Sequence, residues 1–396
     1  MSGDAPVGWA RTDTISAMQS TPAKLSGRRV TWFAYAYLCV VGFLLYAIGA
    51  LTPYLRDALH LSAAEAALHA SVLAVGLMAA GSSADAVERR LGRRRTGIAA
   101  AALVVGGGIA VMLGGVLPVT LAGAFAIGLG AGVMLAALNI VLGSPGGALA
   151  ETRFARANTW ALLSALIAPL LIAGLAASSL GWQSALLVPL VAAVALEAAG
   201  GLPGGGRRAA PSGARSLPRS FWVAWLFVVA AVSIEFAYVV WGSTLVAART
   251  GVSRETATAL ATCFLAGMLV GRIALGAGLI GSGRWRHWVD AALALAAVGG
   301  VIAWLATTPV MSVVGLFIAG LGTASLYPQG LATALDRAGD GALAAGARLT
   351  LASGVAILAM PLLLGAVADT LGVVAGWPLV IALCAVAFAL ERVRID

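Results

Sequence analysis

Apolar runs of about twenty residues, separated by clusters of arginine, glycine and proline, recur along the whole chain. About twenty such residues in an α-helix are what crossing ~30 Å of hydrocarbon requires. The runs fall at about 30–51, 64–81, 96–114, 119–143, 158–177 and 182–200, then at about 221–247, 256–280, 287–306, 309–334, 348–368 and 373–390. Between the two sets lies GLPGGGRRAAPSGARSLPRS, residues 201–220, with the Gly, Pro, Ser and Arg content of a linker. The pattern predicts an all-α membrane protein of twelve spans, six on each side of the linker. The expected segments are a tail at 1–29, a half at 30–200, the linker at 201–220, a half at 221–390 and a tail at 391–396.

The two sets of spans are related. GLMAAGSSADAVERRLGRRR from Gly76 matches GMLVGRIALGAGLIGSGRWR from Gly267 at an offset of 191. Phe125, Gly128, Leu129 and Gly130 match Phe317, Gly320, Leu321 and Gly322 at 192. Arg156 and Pro169 match Arg348 and Pro361, again at 192. Three regions in one register predict two homologous halves in the same orientation, a repeat that transporters often carry.

Composition agrees. Of 396 residues, 61% are hydrophobic and 10% charged, against ~45–50% and ~25% in soluble chains. This excludes an ordinary soluble enzyme, a disordered chain and a nucleic-acid-binding domain. The net charge of +9 is explained by position. Alternating the spans puts 22 of the 25 basic residues on one side and leaves Arg56, Arg249 and Arg254 on the other. Basic loops stay cytoplasmic, so both termini are expected inside a bacterial-type inner membrane. Cys39, Cys263 and Cys384 lie in apolar runs and suggest neither a disulfide framework nor a metal site. No signal-peptide pattern precedes the first run. The absence of Walker, G-x-S-x-G and H-E-x-x-H signatures leaves ATP-driven transport and enzyme chemistry unsupported, and no cofactor is expected.

Six plus six spans, parallel halves, a basic linker and a Gly/Arg-rich loop after span 2 resemble the major facilitator superfamily over about 30–390. That family's loop reads G-x-x-x-D-x-x-G-R-R. Here Gly81, Asp85 and Gly92-Arg93-Arg94 occur in order, with Asp85 and Gly92 four residues further apart. The second copy has Ile280 in place of the acid. The resemblance implies two halves rocking about a cavity lined by spans 1, 4, 7 and 10, with Asp85, Arg93 and Arg272 as an inner latch. Ala168-Pro169 to Gly174 is a degenerate form of the motif that exporters of this kind carry at the end of span 5.

The residues themselves offer candidates. Glu235 sits mid-span, where a carboxylate costs ~2.5–3.5 kcal/mol or more and is tolerated facing water or a partner. It is read as a proton or cation site, or as a glutamic acid tying helices together. Tyr238 and Trp241 follow at helical spacing and suit substrate stacking or plain packing. Asn139 and Gln329 are amides at membrane depth, and Tyr327-Pro328-Gln329 breaks the helical ladder, freeing carbonyls for a site. Tyr46 is the best placed of the span 1 tyrosines. His69 is a second titratable group, either a proton relay or a structural hydrogen-bonder. Arg156 and Arg348 open equivalent spans, as interface anchors or gate residues. Together these suggest proton-coupled efflux of a drug-like or metabolite solute by a monomer in the lipid bilayer. The alternatives are uptake of a sugar or organic acid, or a non-transporting receptor. No arginine is expected at mid-span in the cavity-lining helices, which argues against an anionic substrate.

Overall fold

The computed structural model describes residues 27–143, 147–201, 217–276, 285–339 and 342–393, and these are helical almost throughout. The first half comprises α1 (Gly27–Ala58), α2 (Ala63–Leu91), α3 (Arg93–Leu113), α4 (Leu117–Gly143) and α5 (Gly147–Ala176). A 3₁₀ turn at Trp182–Leu186 then leads into α6 (Leu187–Ala198). The second half comprises α7 (Arg219–Thr250), α8 (Arg254–Gly276), α9 (Trp285–Leu305), α10 (Pro309–Thr323), α11 (Leu326–Ala338), α12 (Ala342–Leu371), α13 (Val373–Gly376) and α14 (Pro378–Arg392). Eleven helical stretches among the described residues are long and apolar enough to span a bilayer, with α10–α11 and α13–α14 each forming one. The twelfth, Trp182–Ala198, is apolar but shorter.

Local chemistry sets the ends. Ser62 caps α2: its hydroxyl accepts from the Glu65 N–H, and the Glu65 carboxylate accepts from the Ser62 N–H. This satisfies two groups that a helix start would otherwise leave bare. Thr308 caps α10, with Pro309 following where no N–H is needed. The break expected at Tyr327–Gln329 falls slightly earlier, at Ala324–Ser325. Pro328 sits in the first turn of α11, and its ring excludes the carbonyl of Ala324, four residues back.

The repeat seen in sequence is a repeat in packing. A Cβ on Gly76 would come within 2.4 Å of the Phe125 carbonyl oxygen, and one on Gly267 within 2.2 Å of that of Phe317. Gly128 presses on the Leu73 oxygen and Gly320 on that of Phe264, at 2.1 and 2.0 Å. Small residues thus let α2 meet α4, and α8 meet α10, at backbone distance. Gly181 and Gly372 enter the last span of each half at φ of 72° and 83°. The same closures recur at offsets of 191–192, so the halves share one construction.

The halves meet through α1–α7, α2–α12 and α5–α8. The face where α1 and α7 begin is called here the near face, and the face where they end the far face.

Candidate functional site

Helix α7 is buried along most of its length, wrapped by α8, α11, α12 and α14 and touching α1. Glu235, at its midpoint, is 5% exposed. A carboxylate so placed requires a donor. The donor comes from the other half: the Tyr46 hydroxyl of α1 donates to Glu235 Oε1. The tyrosine is held by its ring against Phe236, with centroids 6.0 Å apart. The backbones also approach closely, since a Cβ on Gly49 would lie 2.6 Å from the Val239 carbonyl oxygen.

Further polar groups converge there. Arg272 of α8 borders the Tyr46 hydroxyl, on which Glu235 also acts. Tyr327 of α11 feels the charges of both Glu235 and Arg272, and Ser353 of α12 lies beside its hydroxyl. Arg272 Nε and Ser353 Oγ are buried and have no hydrogen-bond partner. No ion pair joins Arg272 to a carboxylate among the described residues. The cluster therefore holds one carboxylate, one guanidinium, two phenols and a serine, drawn from α1, α7, α8, α11 and α12. Arg272 belongs to this cluster and not beside Arg93. Arg93 instead meets Glu88 at 3.0 Å, while the Asp85 side chain lies outside the described residues.

Other candidates are turned elsewhere. Tyr238 stacks on Phe264 at 4.5 Å and meets Trp377 edge-on at 5.1 Å, inside its own half. Trp241 donates from Nε1 to the Pro361 carbonyl at 3.0 Å. It lines a far-face cleft of about 250 Å³ with Thr52, Arg56, Asp57 and Arg254. Gln329 is 2% exposed and, with both amide atoms unpaired, faces Phe227, Val289 and Leu390 within the second half. Residues two apart on a helix point ~200° apart, so Tyr327 and Gln329 cannot share one cavity. His69 is fully buried, its ring nitrogens 3.0 Å from Ala66 O and 2.9 Å from Thr120 Oγ1, which ties α2 to α4. Asn139 is exposed one turn from the end of α4 and Arg156 is exposed on α5, both away from Glu235. The Arg348 carbonyl accepts from Trp225 Nε1 at 2.8 Å near the start of α12.

Sequence reasoning missed the far-face contacts between the halves. Asp369, near the end of α12, accepts from the Ala63 and Ala64 N–H groups of α2 at 2.6 and 2.9 Å. Arg254 pairs with Asp57 and covers the Tyr54 ring, and Tyr54 donates to Thr258 at 3.3 Å. Ser71 donates to the Leu358 carbonyl at 2.7 Å. Also missed was the Tyr37–Glu197 hydrogen bond of 2.6 Å within the first half. The capping box was readable in sequence; the partners across the halves carry no spacing signal.

A family model described as Major Facilitator Superfamily matches residues 31–340. None of the curated proteins matches the chain in sequence. Among solved structures, the nucleoside transporter NupG is similar at a TM-score of 0.73 and 13% identity, over 92% of this chain and 98% of that one. A D-xylose-proton symporter is similar at 0.73 and 14%, over 93% and 97%. A bacterial homolog of the human lysosomal transporter Spinster, inward-facing and occupied, is similar at 0.71 and 13%, over 92% and 96%. At such identities the likeness concerns the fold.

Proposed function

The chain belongs to the major facilitator superfamily, and from that premise we propose that it is a proton-coupled secondary transporter of a small organic solute, with Glu235 as the proton site. The observation that carries this is the hydrogen bond from Tyr46 to the buried Glu235, made between the two halves at mid-helix. An ionised Glu235 draws the Tyr46 hydroxyl and holds α1 to α7. A protonated one gives up the charge-assisted bond, which is roughly twice as strong as a neutral one. Proton occupancy thus biases the contact about which the halves rock. Such an element must respond differently to its ligands in its two states.

The excess of arginine toward the near-face loops supports a near face in the cytoplasm, and so both termini inside an inner membrane. A monomer suffices, because both halves of the site lie in one chain. Pro169 and its neighbours, which suggested export, lie in α5 and are not among the groups of the cluster. The reading therefore rests on coupling and not on direction. The runner-up substrate class, an organic acid, gains support from Arg272 at the same cluster.

The test is proton movement in proteoliposomes during a solute screen. Wild type is expected to move protons with at least one solute, and Glu235→Gln to abolish that movement. Equal solute-driven proton flux in both proteins refutes the proton role of Glu235.

A further inference from the structure

We propose that the transported solute is a monocarboxylate, held by Arg272, Tyr327 and Ser353 and carried together with a proton on Glu235. This rests on the transporter reading above and supplies its substrate class. Spans 1, 4, 7 and 10 carry no arginine at mid-span, but Arg272, in the inner half of span 8 in sequence, borders Tyr46 beside Glu235.

The unmatched donors around the cluster call for an anion. Tyr46 is already spent on Glu235. What remains around the cluster is Arg272, with its buried Nε–H unmatched, Ser353, with its hydroxyl unmatched, and the Tyr327 phenol beside it. All three can donate, and arginine can do nothing else. A guanidinium with its Nε–H buried and no carboxylate partner is costly, and a planar anion with two oxygens is what its fork of N–H groups fits. A neutral sugar would leave the charge unmet. A cation would be repelled by Arg272 and left with Glu235 alone. A phosphate dianion would bring two negative charges to one arginine with Glu235 close by.

Coupling follows from the same electrostatics. Glu235 and a bound carboxylate compete for the field of one guanidinium. Protonating Glu235 removes that competitor, so proton and anion favour each other's binding and the linkage is reciprocal. One proton and one monoanion cross together without net charge. The charged or titratable groups facing Glu235 are Tyr46 of α1, Arg272 of α8 and Tyr327 of α11. From α12 comes the uncharged Ser353. Cys384 of α14 faces Tyr238 instead. Asp290 of α9 is engaged by Arg392 at the near face.

The experiment uses matched probes: straight-chain monocarboxylates of two to eight carbons and benzoate, each beside its amide and its amine. Binding to the purified full chain is read by thermal shift, and flux by proton movement in proteoliposomes with the membrane potential clamped at several values. The expected result is that at least one carboxylate binds while its amide and amine do not. Its proton-coupled flux should be unchanged by potential. Arg272→Gln should weaken binding about tenfold or more, from the loss of a charged hydrogen bond, with Arg272→Lys retaining part of it. Ser353→Ala, a gentler change, should weaken it severalfold. Glu235→Gln, which mimics the protonated acid, should still bind the carboxylate. The proposal is overturned if no carboxylate binds, if amide or amine binds as well, or if Arg272→Gln leaves affinity unchanged. Proton-coupled flux of a neutral solute or amine overturns the substrate class and leaves the carrier reading standing. Carboxylate binding lost in Arg272→Gln, but with no proton movement in wild type, upholds the anion site and refutes the coupling role of Glu235.

Discussion

Asp369→Asn is expected to loosen the far face without unfolding the protein. Asp369 accepts from the Ala63 and Ala64 N–H groups, which are among the four donors that the start of α2 cannot satisfy within the helix. Its negative charge also meets the positive end of the helix dipole. The helix does not depend on it, because Ser62 and Glu65 provide a capping box within the same half. The contact therefore belongs to the closed arrangement of the halves, and in an opened one the two N–H groups pass to water. Asp369 is exposed, so a sheltered-bond figure does not apply. The fitting scale is that of surface cap substitutions, ~0.5–2 kcal/mol. Taking ~1 kcal/mol, the ratio of closed to open far face should fall about fivefold. Arg254–Asp57 is an exposed pair of the kind worth ~0–1 kcal/mol, so Arg254→Gln should shift the ratio less. The assay is spin-label distance measurement between Ser179→Cys and Thr307→Cys, exposed far-face positions in opposite halves, with the native cysteines replaced. Asp369→Asn should raise the long-distance population at unchanged melting temperature. An unchanged distribution, or a fall in melting temperature without one, refutes the latch.

Gly128→Ala should prevent a stable fold, because its Cβ would meet the Leu73 carbonyl oxygen at 2.1 Å. Gly106→Ala, with open space around it, should be tolerated and gain ~0.5–1 kcal/mol of helix propensity; the yield of monodisperse protein and its melting curve decide both. His69→Ala should cost ~0.5–1.5 kcal/mol by removing the bond from α2 to Thr120 of α4, whose hydroxyl keeps the Leu117 carbonyl, with proton-coupled flux per folded molecule unchanged. A selective loss of coupling in His69→Ala would make that imidazole a relay after all.

Much of the fold was legible in sequence, for physical reasons. Lipid demands uniform apolar runs, so their boundaries show as arginine and glycine. The halves descend from one packing scheme, so Gly76 and Gly267 recur because each must admit a carbonyl. The site was legible only in its parts. Glu235 and Tyr46 stand out as polar groups at depth, but their pairing across 189 positions leaves no periodic trace. Helical spacing drew Tyr238 toward Glu235, yet 60° of rotation was enough to put its ring among Phe264 and Trp377. Arg272 was placed in an inner latch by the family resemblance, and nothing in its spacing along span 8 points to the Tyr46 hydroxyl of the other half that it borders.

The repeat also shows where to look for chemistry. At the offsets of the sequence repeat, 191 for span 8 and 192 for spans 10 and 11, Arg272 corresponds to Gly81, Tyr327 to Leu135 and Ser353 to Ala161. Each donor assigned to the solute thus stands opposite a residue with no polar side chain. Packing positions repeat because both halves must close in the same way. Binding positions break the repeat because one solute cannot be held by two equivalent sets of groups. Among the described residues the first half contributes Tyr46 alone to the cluster; its hydroxyl borders Arg272 but donates to the proton site and not to the solute. The division makes a strong demand: replacing Tyr46 with Phe should disturb coupling and leave carboxylate affinity nearly intact, while Arg272→Gln loses both the affinity and the linkage that runs through its charge. Loss of carboxylate affinity in Tyr46→Phe would mean that proton and solute share one inseparable site, with the first half holding the anion too.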